Sequence, residues 1–228
     1  MLSQATSYLF NGANWSGSEG IGAFLVQQVL LTLTAMAVAL CIGLPIALVC
    51  GHLGRGGFLA VNVSNVGRAV PVFAVLLVLS LRPGGADTFG PYGRAGLATL
   101  IALVLFALPP IITNAYVGMR EVDRDIIEVS RGMGMRGREI FWRTELPLAT
   151  AVIMTGVRLA LVQVWATATI AALVAGPGLG RIITDGYANQ RSYEVFAGAL
   201  LVAVGALVLE AIAVLAERRL DPMRVARR

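Results

Sequence analysis

The sequence predicts an all-α integral membrane protein with five transmembrane spans, the N-terminus outside and the C-terminus in the cytoplasm. Three observations predict it. The 228 residues are 57% hydrophobic and only 14% charged, against about 25% charged in an ordinary soluble domain. Mean hydropathy is +0.78. Apolar runs recur at lengths of roughly 17–25 residues, enough to cross a bilayer. The arginines are distributed unevenly between alternate connecting segments, as the positive-inside bias requires.

The expected spans are 22–49, 58–81, 95–116, 146–174 and 195–216. The second is the weakest, because Asn62, Asn65 and Arg68 interrupt it and only 70–81 is continuously apolar. Pro71 marks an expected kink there. Residues 1–21 read as an external polar segment, 22–220 as one membrane domain and 221–228 as a basic cytoplasmic tail. No basic n-region precedes the stretch NGANWSGSEG, so no cleavable signal peptide is expected. Arg55, the six arginines from Arg120 to Arg143 and the five from Arg218 to Arg228 fall on one side. Arg82, Arg94, Arg181 and Arg191 fall on the other. The first group marks the cytoplasm.

Composition also excludes. All 18 basic residues are arginine. A P-loop needs the lysine of GxxxxGK(S/T), so the chain cannot by itself be a P-loop ATPase. His52 is the sole histidine, which removes zinc sites built from several histidines. With no HExxH and no GxSxG, an intramembrane hydrolase lacks its machinery. Cys41 and Cys50 on one helix lie about 13–14 Å apart along the axis and on opposite faces. They cannot bridge each other. The stretch AGPGLG has the wrong spacing for a dinucleotide fingerprint.

The connection 117–145 differs from its surroundings. Ala115, Met119, Val122, Ile126, Val129 and Met133 alternate at spacings of four and three, one face of a helix. The third span is therefore expected to run on into an amphipathic cytoplasmic helix. Pro109 and Pro110 would kink the junction. Gly132, Gly134 and Gly137 permit tight turns, Trp142 suits an interface and Pro147 suits the first turn of the next helix. Read from residues alone, this is either a solvated positive-inside loop or a docking surface.

The stretch EVSRGMGMRGREIFWRTELP, 128–147, resembles the EAA loop of ABC-importer permeases. That loop runs E-A-A-x-x-x-G and, after a spacer, I-x-L-P. Glu128, Gly134, Leu146 and Pro147 match it; Val129, Ser130 and Thr144 depart. The wider sequence, including GRAVP at 67–71 and ATATIAA in the fourth span, is similar to permeases of osmoprotectant importers. The resemblance implies a MetI-like core in the bacterial inner membrane, paired with a second permease, identical or homologous. It implies an ATPase subunit that binds ATP and Mg, and an external or lipid-anchored substrate-binding protein. The chain itself would hold no cofactor, carry no catalytic site and bind no nucleic acid. Its work would be alternating-access import of glycine betaine, choline, carnitine or proline. A methionine- or amino-acid-type importer is the alternative, and a stand-alone carrier a more distant one.

On this resemblance, Glu128, Gly132, Gly134, Leu146 and Pro147 form the ATPase-coupling element. Asn62, Asn65 and Arg68 share a helix surface and read either as a polar wall of the translocation path or as packing, with Arg68 snorkelling. Gln163 and Thr167 share one face of the fourth span, and Arg158, Trp165 and Thr169 share roughly another. Trp165 could meet a quaternary ammonium by cation–π attraction, or the set could serve interhelical contacts. Gly176, Gly178 and Gly180 are outer-gate candidates, with a plain turn as the other reading. Glu210 in the last span either faces a subunit interface or pairs with an intramembrane arginine.

Overall fold

The computed structural model describes residues 2–57, 61–62 and 69–220. Among them no strand forms beyond an isolated bridge between Thr88 and Arg94. The helices are α1 (Leu2–Phe10), α2 (Ile21–Leu53), α3 (Val72–Ser80) and α4 (Gly96–Arg120). They continue with α5 (Arg124–Gly132), α6 (Gly137–Val174), α7 (Gly180–Ala188) and α8 (Ser192–Leu220). Among the described residues, four helices, α2, α4, α6 and α8, are long and apolar enough to cross a membrane.

The second expected span is only partly visible. Asn65 and Arg68 lie outside the described residues. Its later part forms α3, whose nine residues cover about 13–14 Å against a hydrocarbon core of about 30 Å. Pro71 does not kink a helix. It is the extended N-cap of α3, at φ −62° and ψ 119°, where its missing N–H costs nothing.

Two further boundaries differ from the sequence reading. The third span does not run on into the amphipathic helix. It stops at Arg120, and Asp123 starts a new helix by accepting the Asp125 N–H at 2.9 Å. The helix that carries the expected fourth span begins at Gly137 rather than Leu146. Pro147 has no N–H to donate, and the helix meets it with a widened π-turn over Phe141–Glu145, closed by Leu146 N–H on the Phe141 carbonyl. Pro109 and Pro110 sit inside α4, which passes through them.

Small residues let the spans approach. α4 packs between α2 and α6. The central core joins Leu31, Ala35 and Ala39 of α2 to Leu103, Ala107 and Ile111 of α4 and Ala160, Val164 and Ala168 of α6. A Cβ on Gly156 would lie 2.5 Å from Asn114 Cβ and 2.8 Å from the Pro110 carbonyl oxygen. This is the small-residue contact that substitutes for hydrophobic driving force between helices in lipid. α8 instead presents Val204, Leu207, Val208, Ile212 and Leu215 outward.

Candidate functional site

The connection between α4 and α6 is built by local capping. Asp125 in the first turn of α5 and Arg131 in the last complement the helix dipole. Beyond the helix, Gly134 N–H donates to the Arg131 carbonyl at 2.9 Å and Met135 N–H to the Ser130 carbonyl at 3.2 Å. That pair of bonds is a Schellman closure, which places a glycine in left-handed backbone. Gly134 has φ +85°. The position requires glycine for its dihedral, since a Cβ there would touch nothing within 4 Å. Arg136 N–H then donates to Glu139 Oε2 at 2.8 Å, which helps start α6.

One face of α5 is unpartnered. Ile126, Val129 and Met133 are exposed, as is Trp142 nearby on α6. Glu128, Gly132 and Gly134 are exposed beside them. An adjoining flank of the helix closes onto the root of α6. Ser130 is buried, bonds back to the Ile126 carbonyl at 2.8 Å and lies 3.5 Å from Thr144 Oγ1. Leu146 packs into the cluster of Ala47, Ile112, Ala115, Met119 and Ile153. The five coupling candidates therefore divide. Glu128, Gly132 and Gly134 belong to the exposed helix and its turn, while Leu146 and Pro147 belong to the helix root.

Two groups at this root were not legible as partners. His52 Nδ1 and Glu145 Oε2 form a hydrogen-bonded pair between α2 and α6. Glu145 is buried, and the Phe141 ring meets His52 edge-on, with centroids 5.3 Å apart and planes at 79°.

The polar residues at membrane depth separate into tethers and remaining candidates. Trp165, one of the expected path residues, is enclosed. Its side chain is 2% exposed, its Nε1 donates to the Val202 carbonyl at 2.8 Å, and a Cβ on Gly205 would lie 2.2 Å from its ring. No ring face is open to a cation. Arg158, on the same side of α6, also turns to α8. Its Nε lies 3.3 Å from Glu210 Oε1 and its Nη1 3.0 Å from Glu217 Oε2. Glu210 thus has its intramembrane arginine. Thr169 Oγ1 donates to the Ala166 carbonyl at 2.7 Å within its own helix. Gln163 and Thr167 are half-buried and Asn62 is exposed.

The glycine turn after α6 is anchored by two amides. Gln28 is fully buried; its Nε2 donates to the Trp165 carbonyl at 2.8 Å and its Oε1 accepts from Leu179 N–H at 3.2 Å. Gln27 Oε1 accepts from Gly178 N–H at 3.2 Å. The Trp165 carbonyl is available because the helix tightens to 3-10 over Thr169–Val174. Such bonds run to the residue three back rather than four. Gly178, at φ +101°, lies where a Cβ would come 2.3 Å from Gln28 Oε1. Gly180 would come 2.0 Å from the Thr169 carbonyl oxygen, and Gly176 N–H closes on Ala171 at 2.8 Å. The signal for this anchor was the tandem amide Gln27-Gln28 inside an apolar run.

Near the N-terminus, Tyr8 of α1 meets Tyr193 edge-on at 6.1 Å, and Arg191 pairs with Glu194 at 3.0 Å. Burial first, then the Glu194 charge, raises the Tyr8 hydroxyl above the usual tyrosine value.

A bundle of long apolar helices with a capped, exposed helix at one root has the make-up of a membrane component. The family model described as "Binding-protein-dependent transport system inner membrane component" matches residues 43–222. The chain belongs to this family, whose members are inner-membrane components of transport systems. It is 32% identical over 200 residues to the carnitine transport permease protein OpuCB of Listeria monocytogenes, covering 87% of each chain. It is 32% identical to the choline transport system permease protein OpuBD of Bacillus subtilis, covering 87% of this chain and 84% of that one. It is 30% identical to the osmoprotectant import permease protein OsmY of Salmonella typhimurium, over 87% and 81%. Among solved structures, the inward-facing MetNI methionine ABC transporter matches with a TM-score of 0.71 at 18% identity, covering 88% of this chain and 95% of that chain. This last likeness shows the MetI-like fold.

Proposed function

We propose that this chain is the permease subunit of an ATP-driven importer for osmoprotectants, namely quaternary amines such as glycine betaine, choline and carnitine, or proline. The observation that carries the solute class is the set of relatives named for carnitine, choline and osmoprotectant transport, matched over more than four-fifths of their lengths. The methionine transporter shares the fold at 18% identity, too distant to carry a solute.

In this reading the chain crosses the membrane five times, and α3 belongs to the second crossing. The N-terminal segment 1–21 is external, 22–220 is the permease domain, and 221–228 is a cytoplasmic tail. The arginines around α5 support a cytoplasmic coupling segment. The exposed Ile126, Val129 and Met133 supply an apolar anchor row for a groove on the ATPase subunit. Glu128 borders that row and pairs with a basic or hydrogen-bonding group there. ATP and Mg bind to the ATPase, not to this chain. A second permease completes the path, and a binding protein delivers solute from outside. Asn62, Asn65, Arg68, Gln163, Thr167 and Thr169 remain the path candidates. The Gly176–Gly178–Gly180 turn, braced by Gln27 and Gln28, is the outer gate.

Uptake of labelled glycine betaine, choline, carnitine, proline and methionine by the assembled importer tests the solute class. Accumulation of one or more of the first four is expected. Accumulation of methionine alone would overturn it.

A further inference from the structure

We propose that His52 is a positioning residue of the coupling machinery: through Glu145 it ties the end of α2 to the root of α6 and so fixes where α5 is presented. The proposal rests on the reading of α5 and its flanks as the ATPase-coupling segment.

Adjacent residues of α6 carry the connection in opposite directions. Thr144 faces Ser130 of α5 at 3.5 Å. Glu145, the next residue, meets His52 of α2. A displacement of α5 therefore reaches α2 through two neighbouring side chains on one rigid turn. That turn is the π-segment imposed ahead of Pro147. It sends Glu145 inward while Trp142 and Arg143 remain exposed.

The pair has the properties a tie needs. The Glu145 side chain is 7% exposed and that of His52 28%. A carboxylate so placed is costly without a partner, so the bond is favoured over alternatives. Phe141, on the same π-turn, sets the imidazole plane edge-on. The α2 end is itself held. A Cβ on Gly51 would lie 2.5 Å from Met119 Cβ on α4, which leaves no room for α2 to slide. The ends of α2 and α4 and the root of α6 form one block, and α5 hangs from it between Arg120 and Gly137.

The test uses the assembled importer in proteoliposomes, comparing His52→Phe with His52→Asn. Phenylalanine keeps a ring against Phe141 and removes the donor. Asparagine removes the ring and keeps an amide nitrogen at the place of Nδ1. Uptake per ATP hydrolysed and recovery of the ATPase with the permease are read together. H52N is expected to stay within about twofold of wild type, and H52F to lose about tenfold in uptake per ATP at normal ATPase recovery, the scale of a charge-assisted bond. Wild-type coupling in H52F would overturn the proposal, as would losses in both variants that only track lower complex recovery. If H52F is not recovered in membranes, Glu145→Met, of similar length but without the acceptor oxygen, replaces it, and an unchanged uptake per ATP in that variant overturns the proposal equally. A wild-type complex that shows no ATP-driven uptake would sink the functional reading instead.

Discussion

Ser130 Oγ lies 3.5 Å from Thr144 Oγ1 across the contact between α5 and the root of α6. These are two of the positions at which the chain departs from the EAA pattern. They face each other, so two hydroxyls share one contact. The double variant Ser130→Ala, Thr144→Ile is therefore expected to keep uptake within about twofold, because replacing both partners of a hydrogen-bonded contact is close to neutral. Ser130→Glu, which buries an unpaired carboxylate, is expected to release the ATPase in a pull-down.

Gly134 closes α5 at φ +85° with open space around it. Backbone conformation, not bulk, is the constraint. A β-branched residue there costs about 1–2 kcal/mol, while asparagine tolerates left-handed backbone. Gly134→Val is expected to lower ATPase stimulation and uptake several-fold with unchanged membrane insertion. Gly134→Asn is expected to retain most activity. Immunoblots of membranes beside uptake assays separate the two effects.

Gln28 ties α2 to both the Trp165 carbonyl and Leu179 N–H. Gln28→Leu leaves two buried backbone groups unpaired, at about 1–3 kcal/mol each. A clear fall in the melting temperature of the detergent-solubilised protein is expected. Gly178→Ala should behave similarly, because its Cβ would meet Gln28 Oε1 at 2.3 Å.

Trp165 tests core against pathway. Its indole N–H is satisfied by Val202. Trp165→Phe is expected to cost about 1 kcal/mol of stability and to leave the order of preference among quaternary amines unchanged. A reordered preference in competition uptake would return Trp165 to the path.

Arg158 holds Glu210 and Glu217 together from α6. Arg158→Leu leaves two carboxylates on one face of α8 without their arginine, and a lower steady-state amount in membranes is expected. Adding Glu210→Gln should recover part of it, since one of the stranded charges is then removed. No recovery in quantitative membrane blots would mean that the two groups act independently.

The membrane class and the apolar helices α2, α4, α6 and α8 were legible because length and hydropathy determine them directly. The short helix α5 and its glycine turn were legible because helical spacing and glycine are local features. The break at Asp123 is harder to read. The Ala115-to-Met133 stripe continues across it in sequence, while the cap interrupts the backbone. The start of α6 at Gly137 is hidden because Pro147 reads as a helix start, whereas a π-turn allows the helix to pass it. Tertiary pairs are the least legible. His52 and Glu145 are 93 residues apart, and Gln28 reaches Trp165 over 137. No local pattern encodes either contact. The chemistry of Trp165 suggests a path residue, while its surroundings, Gly205 above all, enclose the ring.

The central claim is that this permease moves solute only when a partner ATPase works through α5. Uptake of labelled choline or glycine betaine into proteoliposomes tests it most directly, comparing the permease alone with the permease, ATPase and binding protein together, each with and without ATP. Uptake is expected only in the complete, ATP-supplied system, and is expected to fall several-fold there with Gly134→Val. Solute accumulation by the permease alone, without ATP, would contradict it.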